Sequence, residues 1–217
     1  MDELVNELKE QGFLASPLLA KAFLAIDRQD FVPEESKPFA YVNEAIPTLA
    51  GQTISQPAVV AFMLEKLDPQ PGDKILDIGA GSGWTTALLS YIAGKNGKVI
   101  GIELIPEVAE FGKKNIAKYN FIKKGIAKYL CQDGSKGCLK EAPFNKILIS
   151  ASLPAKNIPP ALKDQLAANG CIVTPIRKSV WKLTKIDDDG FEAKEYPGFL
   201  FVPFKIDSRH KSEDSYD

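Results

Sequence analysis

Histidine is almost missing from this sequence. Its one copy, His210, lies in the C-terminal stretch DSRHKSEDSYD. A histidine base is therefore not expected in the body of the chain, and no metal site is predicted. Cysteine is scarce as well: Cys131, Cys138 and Cys171 form no CxxC pair and are odd in number. That usage points to reduced thiols in a cytoplasmic protein rather than to a disulfide framework. No run approaches the roughly 18 apolar residues of a membrane span, and the acidic start MDELVNELKE does not read as a signal peptide. Charge of one sign is missing too. A formal net charge of −1 gives no support for a nucleic-acid-binding surface, which is usually basic.

What is present fits a globular α/β chain. With 45% apolar residues among 217, the chain can bury a sizeable core as one large domain, or as one domain with an appendage. Residues 2–11 carry apolar positions at helical spacing, and Ser16-Pro17 opens a second helix, LLAKAFLAI. The proline-interrupted segment DRQDFVPEESKPFAYVNEAIPT should be irregular. A helix is predicted over AVVAFMLEKL. From Gly72 the pattern alternates. The strands KILDIG, KVIGIEL, IAKYLCQD, FNKILIS and CIVTPI are interleaved with the helices GWTTALLSYIAG, PEVAEFGKKNIAKY and PPALKDQLA. Such alternation predicts a doubly wound, mostly parallel sheet with helices on both faces. VWKLTKI, FEAKEY and GFLFVPF, with the turn DDDG, read as antiparallel strands added at the C-terminal edge. The division expected is a helical extension over 1–71 carrying an active-site loop, a core over 72–206, and a flexible tail over 207–217.

The strongest local signal is LDIGAGSGW. In an open parallel sheet, ligands bind beyond the carboxyl ends of the strands. Here Gly79, Gly81 and Gly83, with Ala80 and Ser82 between them, follow a strand end. A dinucleotide fingerprint would place its third glycine where Trp84 stands, so a nicotinamide cofactor is disfavoured. Acids close successive strands. Asp77 is placed to orient the glycine loop or an amino group. Glu103, followed by Leu104, can accept ribose hydroxyls, and Asp133 with Gly134 can meet an adenine edge. This loop followed by acids resembles the class I S-adenosylmethionine-dependent methyltransferases.

AGQTISQP raises a separate question, because it is uncharged and rich in hydroxyls. The plain explanation is capping: Ser55 can cap a helix that opens with Pro57. With PGDKILDIGAGSG, IELIPE, DGSKG, ISASLPAKNIPP and FVPF, however, it resembles the protein-L-isoaspartate O-methyltransferase family from about Leu14 to Phe204. The resemblance implies a Rossmann-like fold and methyl transfer from S-adenosylmethionine to isoaspartyl carboxylates in damaged proteins and peptides. S-adenosylhomocysteine would be the product, and the ester would cyclise to a succinimide. It implies Ser55 and Thr53 as catalytic groups, with Gln52, Ile54 and Ser150 on the substrate side. A monomer without nucleic-acid or membrane partners is expected. Departures fall at PTLAG, ISASLPAKNIPP and IRKSVWKL, around the expected peptide groove. Two alternatives stay open: a methyltransferase with another acceptor, and a non-catalytic module that binds S-adenosylmethionine. A serine hydrolase is not supported, because GxSxG and a histidine in the body of the chain are both missing.

Overall fold

Five consecutive parallel strands form the centre of the molecule, because their segments are apolar on both faces and must be covered on both. The computed structural model describes residues 1–155, 157–187, 190–201 and 203–204. Two N-terminal helices, α1 (Asp2–Glu10) and α2 (Pro17–Ala25), precede a hairpin of β1 (Ile46–Pro47) and β2 (Thr53–Ile54) and the helix α3 (Pro57–Leu67). The core follows as β3 (Lys74–Ile78), α4 (Trp84–Ala93), β4 (Lys98–Glu103), α5 (Pro106–Ala117), β5 (Ala127–Cys131), β6 (Phe144–Ile149), α6 (Pro160–Asp164), β7 (Leu166–Ile176), β8 (Ser179–Lys185) and β9 (Phe191–Pro197). The sheet order is β5-β4-β3-β6-β7-β8-β9. Pairing is parallel from β5 through β7 and antiparallel for β7-β8 and β8-β9. The expected fold class is observed.

The order reverses between β3 and its neighbours β4 and β6. That is the topological switch point, where a crevice opens beyond the strand ends. One face of the sheet packs against α3, α4 and α5 in a core shared with Leu4, Val5 and Leu8 of α1 and Phe23 of α2. The other face, with Leu76, Ile78, Ile100 and Ile102, meets Leu153, Ile158 and Leu162 around the short α6. Helical cover is therefore uneven, although helices lie on both faces as expected.

Four local expectations need correction. The helix over PPALKDQLA ends at Asp164, and Leu166 onward extends into β7, because Leu166 pairs with Phe144. GFLFVPF is not a continuous strand. Among its described residues only Pro203 makes a bridge, to Ser152, and the Phe204 amide donates to the Ser152 carbonyl at 2.8 Å. AGQTISQP is not wholly loop, since Ile54 and Thr53 pair with Ile46 and Pro47. Nor does the Ser55 side chain cap α3. The cap position is Gln56, without a side-chain bond, and the Ala58 amide donates instead to Asn43 Oδ1 at 3.0 Å. The tail over 207–217 with His210, much of the DDDG turn, Lys156 and Val202 lie outside the described residues.

Candidate active site

The glycine loop is shaped by backbone chemistry before any ligand is considered. The amides of Gly79 and Ala80 both donate to the Ile102 carbonyl, at 2.9 and 3.0 Å, folding the loop across the end of β4. Gly83 has φ +91°, and a Cβ there would stand 2.9 Å from the Gly112 carbonyl. Glycine is thus demanded on two counts, conformation and space. Its role is to seat the loop on α5. Tyr129 Oη donates to the Gly81 carbonyl at 2.6 Å, and Asn115 Nδ2 donates to the Ser82 carbonyl at 3.1 Å. Neither Tyr129 nor Asn115 is singled out by the sequence. A strand tyrosine and a helix asparagine read as ordinary packing.

Three acids stand where the strand ends place them. Glu103, 8% exposed, accepts from the Gly81 amide on Oε2 at 3.0 Å, and from the Leu104 and Ile105 amides on Oε1 at 2.9 and 3.0 Å. Its position is fixed by these bonds. A carboxylate has about four acceptor sites, so capacity remains for a ligand. Asp77 is fully buried, and its Oδ2 accepts from the hydroxyls of Thr85 and Thr86 at 2.7 and 2.6 Å. Burial pushes its pKa up to about 6, with the two threonine bonds opposing and the Glu103 charge reinforcing the shift. Asp133 Oδ1 caps the following turn through the Ser135 amide at 2.9 Å. The other oxygens, Asp77 Oδ1 and Asp133 Oδ2, are buried without a partner among the described residues. Buried carboxylate oxygens are costly unless they are bonded. Both therefore suit a ligand that brings N–H donors.

A cleft opens at this point, lined by Gln52, Thr53, Ser55, Ile78, Gly79, Gly81, Ile102, Glu103, Leu104, Ile105, Gly134, Ser150, Ala151, Pro203 and Phe204. A smaller cavity behind it is bounded by Ile54, Ala80, Ser82, Trp84 and Thr85. Gly134 lines the cleft, and its lack of a side chain accommodates Ile78 from below. Asp77, Gly83 and Asp133 are not among the residues that line the cleft or the smaller cavity. Trp84 stands edge-on to Phe23 of α2 at 5.3 Å between centroids.

The hydroxyl loop borders the cleft from the other side. Ile54 is buried at 5% exposure in the core, whereas Ser55 is half-buried and Thr53 exposed. Among the described residues the Ser55 hydroxyl has no hydrogen-bond partner, while its carbonyl accepts from Arg28 Nη2 at 3.0 Å. A second, open groove is lined by Ala45, Thr53, Ser55, Gln56, Val59, Ser150, Leu200, Phe201 and Pro203. Thr53, Ser55, Ser150 and Pro203 are common to the groove and the cleft. These residues stand at a junction. The sequence did not point to Pro203, Phe204, Leu200 and Phe201 as wall residues, because the segment reads as a strand. Among the described residues no group of three or more His, Cys, Asp or Glu could hold a metal ion. No helix among them is long and apolar enough to cross a membrane.

Comparison with known proteins agrees with this geometry. The profile for protein-L-isoaspartate(D-aspartate) O-methyltransferase matches residues 1–209. A protein-L-isoaspartate O-methyltransferase of Methanopyrus kandleri is 38% identical over 206 residues, covering 93% of this chain and 89% of that one. One from Thermococcus onnurineus is 36% identical over 204 residues, covering 92% and 90%. Among solved structures, a Plasmodium falciparum protein described as a protein-L-isoaspartate O-methyltransferase, in complex with S-adenosyl-L-homocysteine, superposes with a TM-score of 0.83. It is 26% identical, and the match covers 94% of this chain and 97% of that one. The chain belongs to the protein-L-isoaspartate(D-aspartate) O-methyltransferase family.

Proposed function

We infer that this chain is a protein-repair methyltransferase, moving a methyl group from S-adenosylmethionine to the carboxylate of L-isoaspartyl residues in damaged proteins and peptides. The observation that carries the reading is the junction itself. Neutral hydroxyls of Thr53, Ser55 and Ser150 border both the cleft that Glu103 lines and an open groove with no charged lining residue among the described ones. The donor fits the cleft by its hydrogen-bonding chemistry. Glu103 would hold the ribose hydroxyls, Asp77 Oδ1 the amino group, and Asp133 Oδ2 the adenine amine, giving the two orphaned oxygens partners. Gly79, Ala80, Gly81, Ser82 and Gly83 would form the cradle, with Leu104 and Gly134 against the base. When bound, the donor supplies an electron-poor methyl group on a cationic sulfur.

The remaining task is orientation. A carboxylate acceptor is already ionised at neutral pH, so no base is required. Holding its oxygen at near-attack distance, about 3 Å, can account for several kcal/mol of the barrier. Ser55 Oγ can orient the carboxylate by donating a hydrogen bond. A cation in that place would lower the nucleophile's reactivity, and an anion would repel it. Gln52 and Thr53 would face the acceptor's surroundings, while Ile54 holds the loop by its burial. The extended, mostly apolar groove suits a polypeptide that presents the damaged residue. A nucleic-acid acceptor would call for a basic lining. Action as a cytoplasmic monomer belongs to the same reading, and the free thiols support its reducing setting.

The test uses methyl-labelled S-adenosylmethionine with two matched peptides, one isoaspartyl and one normal aspartyl. Base-labile label on the isoaspartyl peptide alone is expected. Label on neither peptide, from protein that binds the donor, would reassign the acceptor.

A further inference from the structure

Arg28 is an arginine where a loop would be expected to carry a solvated one, yet it is fully buried. Its Nη1 donates to the carbonyls of Ala40 and Val42 at 2.6 and 3.3 Å, and its Nη2 to those of Glu44 and Ser55, both at 3.0 Å. Nε has no partner, and no carboxylate lies within ion-pair distance of the guanidinium among the described residues. Replacing buried charge by apolar packing is often neutral or stabilising, so stability alone is a weak reason for this arrangement. Its connections point elsewhere. The guanidinium lies 5.2 Å from the Trp84 ring centroid, at the first residue of α4 after the glycine loop. Its own backbone follows Asp27, whose amide donates to Tyr119 Oη at 2.8 Å just beyond α5.

We propose that Arg28 is a positioning residue for methyl transfer, a rigid strut that holds the Ser55 backbone against the body carrying the donor cleft. The base of the strut rests on Tyr119 and Trp84, which belong to the donor side. Its tip gathers four carbonyls, of which Ser55 belongs to the acceptor side. Guanidinium is the one side chain with a fixed planar fork that can serve four acceptors from two nitrogens. A displacement of about 1 Å between acceptor and donor can cost on the order of a hundredfold in rate. The strut would thus act on turnover and leave the donor cradle intact.

The proposal rests on Ser55 orienting the acceptor, and its failure is separable from failure of that reading. If the wild type esterifies no isoaspartyl peptide, the reading falls. If the wild type turns over and Arg28→Lys turns over equally well, only the strut falls. Lysine keeps the charge but has three donors at a single point, too few for four carbonyls. For Arg28→Lys, assayed below its melting temperature and counted by S-adenosylhomocysteine binding stoichiometry, kcat should fall on the order of a hundredfold. Peptide KM and S-adenosylhomocysteine Kd should stay within about threefold. In a Ser55→Ala background the same substitution should cost far less, since both act through one group. Multiplicative losses, or equal loss of donor affinity and turnover, would overturn the proposal. Should Arg28→Lys not fold, the wild type carries its own test. The chain has three arginines, Arg28, Arg177 and Arg209, so guanidinium ¹⁵N resonances are few enough to assign. Those of Arg28 should shift when the isoaspartyl peptide joins the S-adenosylhomocysteine complex. No shift would overturn the proposal.

Discussion

Single residues divide here into those that face a ligand and those that hold them. The Ser55 hydroxyl has no partner among the described residues, so Ser55→Ala should lower kcat by ten- to a hundredfold, about 1.4–2.7 kcal/mol of transition-state stabilisation. S-adenosylhomocysteine affinity by calorimetry should be unchanged. Asp77 gives a pH dependence with a definite sign. Its folded pKa of about 6 exceeds the ordinary 3.8, so the folded state binds the proton more tightly. Stability from this group is complete below pH 4 and declines as pH rises through 6. The ionised, buried carboxylate then costs roughly 3 kcal/mol at neutral pH. Asp77→Asn should therefore melt higher than the wild type at pH 7.5 while binding S-adenosylhomocysteine more weakly. The wild type should bind S-adenosylhomocysteine more tightly at pH 7 than at pH 5, and the variant should show a flat profile. A wild-type profile that is flat as well would remove Asp77 from the amino-group site.

Elements show why part of the architecture could be read in advance and part could not. Strands β3, β4 and β6 are short apolar runs between turn signals, and Pro17, Pro57 and Pro106 mark the first residues of α2, α3 and α5. These signals are local, so the sequence carries them. The glycine loop and the acids at the strand ends were legible for the same reason. The second role of Glu103, gripping three backbone amides, depends on where loop and helix meet. The cap of α3 was hidden similarly. Ser55 satisfies the local rule, but Asn43, fifteen residues before Ala58 in sequence, occupies the place. Arg28 gave no signal, since a buried strut and a solvated loop arginine have the same letter. At this scale, Asn43→Ala should destabilise the protein by about 1 kcal/mol, the usual worth of an N-terminal cap. Chemical denaturation would measure it.

Across the whole molecule, the helical extension and the sheet share one core. Leu8 is fully buried together with Leu64, Ile75 and Leu88, and Trp84 joins α4 to Phe23 of α2. Gln52, Thr53 and Ser55, from the chain ahead of β3, line one side of the cleft. Leu8→Ala should cost 2–5 kcal/mol, the range for a buried leucine. Unfolding followed by tryptophan fluorescence and by far-UV circular dichroism should remain coincident. Separate transitions would mean that the extension folds independently of the sheet.

On the proposed reading, neutral hydroxyls beside the donor cleft orient an isoaspartyl carboxylate for methylation. A crystal structure of the protein with S-adenosylhomocysteine and an isoaspartyl peptide tests it most directly. The carboxylate should lie within about 3 Å of Ser55 Oγ, at the junction of cleft and groove, with no lysine or arginine side chain in contact. A carboxylate paired to a cation, or seated away from Ser55, would contradict it.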